Sequence, residues 1–126
     1  MNSNLKVSND VNQPFMNQNF SHKKLCSGKC PLRVVMDRFG DKWSVLILLT
    51  LHENGIMRFH ELSECIEGIS LKVLSATLKV LEEDRFITRT VYPEVPPKVE
   101  YELTRIGEEM IPFIKEISDW ARKTLL

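Results

Sequence analysis

No part of this sequence stays apolar for long. Its longest apolar run, Val45 to Leu49, is far too short to cross a bilayer. The N-terminus also lacks the charged-then-apolar layout of a secretory signal. A cytoplasmic protein with no membrane partner is expected, in a compartment that keeps thiols reduced. Cysteine is scarce and odd in number, three in 126 residues, which argues against a disulfide framework. Net charge is missing too, because 17 basic and 17 acidic residues cancel. That balance alone speaks against a nucleic-acid partner. The charges are uneven, however: residues 1–30 carry four Lys and one Asp, whereas residues 99–126 carry four basic and six acidic groups. Any basic surface must be local. Catalytic signatures are absent as well. His22, His52 and His60 have no evident nucleophile or acid partner, and no glycine-rich phosphate loop or pair of carboxylates stands out. Neither an enzyme nor a cofactor is expected.

What remains is the composition of one globular domain, 43% apolar and 27% charged. Residues 1–24 are rich in Asn, Ser and Gln without periodicity and read as a disordered polar tail, with Phe15, Met16 and Phe20 its few candidates for docking. Residues 25–126 read as the domain. Pro31 suits the first position of a helix, and Leu32, Val35, Met36 and Phe39 recur at helical spacing up to Gly40. Asp41 is placed to cap a second helix, Lys42 to about His52, apolar on nearly every side and so expected to be buried. After an extended piece, Ile56 to Arg58, a third helix runs from Phe59 to about Ile66, its inner stripe Phe59, Leu62, Cys65 and Ile66. Ser70 then caps a fourth helix, Leu71 to about Asp84. The period next switches to two over residues 86–92. A stiff turn with Pro93, Pro96 and Pro97 leads to a second strand, Val99 to Leu103, and Thr104 caps a long last helix. Two short helices followed by a β-hairpin make a winged helix-turn-helix, an α+β fold that is mainly α.

The fourth helix carries the most specific signal. Leu71, Leu74, Leu78 and Leu81 form one stripe that anchors it to a core. The opposite face presents Lys72, Val73, Ala76, Lys79 and Val80, flanked by Ser75 and Thr77. A helix needing only solubility would carry Glu, Lys and Gln there. Small and apolar groups between two lysines suit a major groove about 12 Å wide, with Val73 and Ala76 on thymine methyls and Ser75 on base edges. Lys72 and Lys79 would reach phosphates, joined by Arg58, by Arg89 and Lys98 on the wing, and by the helix start at Ser70. The acid cluster Glu82-Glu83-Asp84 is expected to face away from DNA. The competing reading is a protein-binding module whose apolar recognition face is the contact. For any one of these cations an ordinary solvated charge is the simpler account. On the last helix Ile106, Met110, Phe113, Ile117 and Trp120 form an apolar stripe, widened by Ile111, Ile114, Ala121 and Leu125. That exceeds what one small domain can cover, so a homodimer is expected, with Pro112 bending the helix. Folding of the whole stripe onto its own core is the alternative.

The stretch L-C-S-G-K-C-P, residues 25–31, admits half a zinc site, a disulfide, a reactive thiol or an unreactive one. Zinc wants four ligands; Cys26 and Cys30 give two, His22 a third at most, and Cys65 reads as a small buried core residue, so no metal is expected. Cys30 stands at a helix N-terminus beside Lys29, with Lys23 and Lys24 upstream, and all of these favour the thiolate.

The stretches CPLRVVMDRFGDKWSVLILL, RFHEL, GISLKVLSATLKVLEE and above all VYPEVPPKVEYELT resemble the HxlR-type winged-helix transcriptional regulators, relatives of the MarR group. The resemblance runs from Cys30 to about Trp120. It implies a cytoplasmic bacterial homodimer that binds a pseudo-palindromic operator in double-stranded DNA, one recognition helix per half-site. It also implies that the helix after Cys30 lies in the dimer interface. In several members the sensing cysteine directly precedes the proline that opens the first helix, here Cys30, so a small electrophile or oxidant is the implied effector. Two features depart from the family pattern: the tail is longer, and Cys26, either a resolving partner for Cys30 or a bystander, has no standard counterpart.

Overall fold

The computed structural model describes residues 30–126. The tail, residues 1–24, and Cys26 lie outside the described residues. Two units are distinguished, divided after Asp37. The first contributes most of α1 (Pro31–Phe39). There the Cys30 carbonyl accepts the Val34 N–H at 3.0 Å, and Leu32, Val34, Val35 and Met36 are all exposed.

The second unit runs through α2 (Ser44–Asn54), α3 (Phe59–Cys65), α4 (Leu71–Glu83), β1 (Ile87–Tyr92), β2 (Lys98–Leu103) and α5 (Arg105–Thr124). Its core gathers Ile47, Leu48 and Leu51 of α2, Leu62 of α3, Leu74, Leu78 and Leu81 of α4, Ile87 at the wing base, and Ile111 and Ile114 of α5. Phe39 closes the cluster, its ring edge-on to Phe86 at 4.9 Å between centroids.

Each helix start has a local cause. Asp41 Oδ1 accepts the N–H groups of Trp43 and Ser44, both at 2.7 Å, and Oδ2 accepts the Ser44 hydroxyl at 2.6 Å. The cap is the residue expected, but it holds a turn first, so α2 opens two residues later than the apolar pattern suggests. Burial pushes the Asp41 carboxyl up, and these hydrogen bonds together outweigh it, holding the group below the ordinary aspartate range. Glu61 Oε1 accepts the Arg58 N–H at 2.8 Å ahead of α3. Gly68 takes φ +88° in the turn between α3 and α4, a conformation that glycine adopts at little cost. Ser70 caps α4, its hydroxyl accepting the Val73 N–H at 3.1 Å, and Thr104 caps α5, accepting from Gly107 at 3.1 Å.

The wing is one antiparallel pair in the register Ile87↔Leu103 through Tyr92↔Lys98, extended by a bridge from Met57 to Tyr101. Only Ile87 of β1 is buried, so the hairpin stands out into solvent.

Four expectations are corrected. Leu46 on α2 is 42% exposed, so that helix is central but not enclosed. Cys65 is exposed rather than in the core, because α3 ends at this residue and the burial passes to Ile66. Leu71 is 61% exposed, since the first turn of α4 overhangs the core and burial begins at Leu74. On α5, Ile111 and Ile114 pack into the chain's own core and Met110 lies half-buried against it, leaving Ile106, Phe113, Ile117 and Trp120 as the outward stripe. Among the described residues no helix is long and apolar enough to cross a membrane.

Candidate nucleic-acid interface

The outward face of α4 follows from its inward one. With Leu74, Leu78 and Leu81 buried, the 100° step per residue turns Lys72, Val73, Ala76, Lys79 and Val80 to solvent, and all five are exposed. Ser75 shares that exposure. Thr77 flanks the face half-buried, its hydroxyl donating back to the Val73 carbonyl at 2.7 Å. Ser70 caps the helix start, its hydroxyl oxygen accepting the Val73 N–H.

The cations divide into two sorts. Lys72, Lys79, Arg58 and Arg89 are exposed and form no ion pair among the described residues. Lys98 is engaged within the wing, 3.4 Å from Glu100 and 5.0 Å from the Tyr92 ring centroid. The acid cluster splits as well. Asp84 pairs with Arg38 at 2.8 Å, while Glu82 lies in one cleft with Ser75, Lys79, Arg89 and Tyr101. Glu82 therefore does not face away from the α4 surface. Its spacing from Ser75 and Lys79, seven and three residues, was the available sign that it shares their row. Tyr101 joins the cleft only through strand pairing, which the sequence does not display.

The family model for HxlR-like helix-turn-helix proteins matches residues 38–125. The chain belongs to the HxlR family. The HTH-type transcriptional regulator YtfH of Escherichia coli is 38% identical to this HxlR protein, the match covering 91% of this chain and 90% of YtfH. Among solved structures, a MarR-family transcriptional regulator from Porphyromonas gingivalis W83 superposes with a TM-score of 0.74 at 39% identity, covering 81% of this chain and 99% of that one. The transcriptional regulator YodB from B. subtilis, in its reduced form, gives a TM-score of 0.66 at 36% identity, covering 75% of this chain and 93% of that one. YodB has also been solved after diamide treatment. The fold is a winged helix, and the relatives identify this HxlR protein as a transcriptional regulator of helix-turn-helix type.

Proposed function

We propose that this HxlR protein regulates transcription by binding a pseudo-palindromic operator in double-stranded DNA as a homodimer. The observation that carries the reading is the face of α4: small and apolar groups between Lys72 and Lys79, beside a projecting wing, with no acid partner on either lysine among the described residues. Cations held without partners are available to phosphates, and a slim apolar surface fits between base edges. Arg58 and Arg89 extend the phosphate contacts, and Val73 and Ala76 meet the bases. A two-fold dimer through Ile106, Phe113, Ile117 and Trp120 would set two recognition helices about 34 Å apart, one helical turn of DNA.

Selection of bound sequences from a random duplex pool tests the reading. A palindromic consensus is the expected result. Failure to enrich any sequence, together with affinity insensitive to salt, would point to a protein partner for the α4 face instead.

The regulation proposed is modification of Cys30 by an oxidant or electrophile, altering operator affinity. Its support is position, one residue ahead of a helix, and the existence of YodB in both reduced and diamide-treated forms. Operator binding by wild type and Cys30→Ser, each with and without diamide, decides it. Release of DNA by wild type alone is expected; equal release by both would remove Cys30 from the role.

A further inference from the structure

The cleft between α4 and the wing holds donors that the reading of bases leaves unused. Ser75, Lys79 and Glu82 form one wall, Arg89 and Tyr101 the other. Arg89 and Tyr101 are directly opposed in the hairpin register. Tyr101 exchanges both its backbone groups with Met57, N–H to carbonyl at 2.8 Å and carbonyl to N–H at 3.0 Å. Arg89 and Tyr101 therefore form a non-hydrogen-bonded pair, the kind in which facing side chains come closest. Tyr101 is 8% exposed, yet its hydroxyl meets no hydrogen-bond partner among the described residues. Buried tyrosine hydroxyls ordinarily find one. The Ser75 hydroxyl and the Lys79 and Arg89 cations are likewise unengaged among those residues.

We propose that this cleft is a site for one singly charged oxyanion of the phosphodiester type. Tyr101 Oη, Ser75 Oγ, Lys79 and Arg89 are its donors. Glu82 is the one lining group that repels an anion. Two cations less one carboxylate leave the lining with a single net positive charge, which attracts an anion. A DNA backbone phosphate and a free small anion offer the same chemistry. With the DNA phosphate as occupant the inference rests on the proposed operator binding; with a free anion it stands alone.

The test uses the full chain as wild type, Tyr101→Phe and Glu82→Gln, each titrated with the selected duplex and, separately, with diethyl phosphate while amide resonances of residues 75–103 are followed. Thermal melting confirms that the variants fold. Tyr101→Phe removes one hydroxyl and no charge, so duplex binding should weaken about tenfold, as for one hydrogen bond to a charged acceptor, with the salt slope unchanged. Glu82→Gln should tighten it severalfold. A response to the duplex alone assigns the occupant as a backbone phosphate; diethyl phosphate shifts that vanish in Tyr101→Phe assign a free anion. Wild-type behaviour of both variants towards both probes overturns the site. A wild type that ignores the duplex but answers diethyl phosphate overturns the DNA reading and leaves the site standing.

Discussion

On α4 the exposed apolar groups Val73, Ala76 and Val80 stand among Lys72 and Lys79, neither of which has an acid partner among the described residues. On α5 the exposed groups are larger, Phe113 at 63%, Ile117 at 68% and Trp120 at 58%, and three of that helix's four cations are tied down. Arg105 lies 3.0 Å from Glu109, Lys115 3.5 Å from Glu53, and Arg122 2.7 Å from Asp119. Both helices leave apolar surface in water, but they treat charge in opposite ways. A face meant for a polyanion gains from uncommitted cations, whereas a face meant for another protein surface gains from bulk and from charge already neutralised. The difference separates the two proposed contacts, which exposure alone would merge.

Breaking the α5 side should have the largest effect. Ile117→Glu places a charge in the proposed dimer contact, so sedimentation should show a monomer. Operator affinity should fall at least ~100-fold, since two linked half-sites are lost as a unit. On the α4 side, Lys72→Ala or Lys79→Ala should weaken binding and flatten the plot of log affinity against log salt by about 0.9 per phosphate contact, hence about twice that in a dimer. Asp41 belongs to neither face and sharpens the contrast by acting on stability alone. Asp41→Ala should cost about 1 kcal/mol in urea unfolding at neutral pH, as loss of a helix cap does. Because folding depresses the Asp41 carboxyl, its contribution is complete above the unfolded-state value and lost as pH falls through the folded one, so wild type and variant should converge in acid. The smallest effect is the informative null: Arg122→Ala removes a cation already paired with Asp119 and should leave the salt slope unchanged.

The order of elements was legible because each begins with a local signal: Pro31, Asp41, Ser70 and Thr104 all stand at or just before helix starts, and the period-two stretch became β1. The division of α5 into two faces was not legible. Its apolar positions 106, 110, 111, 113, 114, 117 and 120 span about half the helix, and periodicity cannot say which of them the chain itself covers. Only packing against α2 and the wing assigns Ile111 and Ile114 inward. Cys65 failed for a related reason, being the last residue of a helix too short to keep its face. On α4 the candidate readers were legible, since one leucine stripe defines the opposite side. Tyr101 and Glu82 were not seen in one cleft, because strand register sets Tyr101 opposite Arg89 and only the packing of α4 against the wing adds Glu82, both tertiary facts.

Where α5 meets the wing base, Gly107 lies so close to the Phe86 carbonyl that an added Cβ would overlap it. Thr104 binds the same corner, its N–H to the Phe86 carbonyl at 3.1 Å and its hydroxyl to the Arg85 carbonyl at 2.7 Å. A single residue, Thr104, separates β2 from α5, and these contacts couple the two elements. Each strand of the wing is six residues long, a span of about 20 Å. A tilt of about 10° at the start of α5 would therefore sweep the wing tip through roughly 3 Å, enough to part a hydrogen bond to a phosphate. Whatever reorients α5 needs no further transmission to be felt at the tip of the wing.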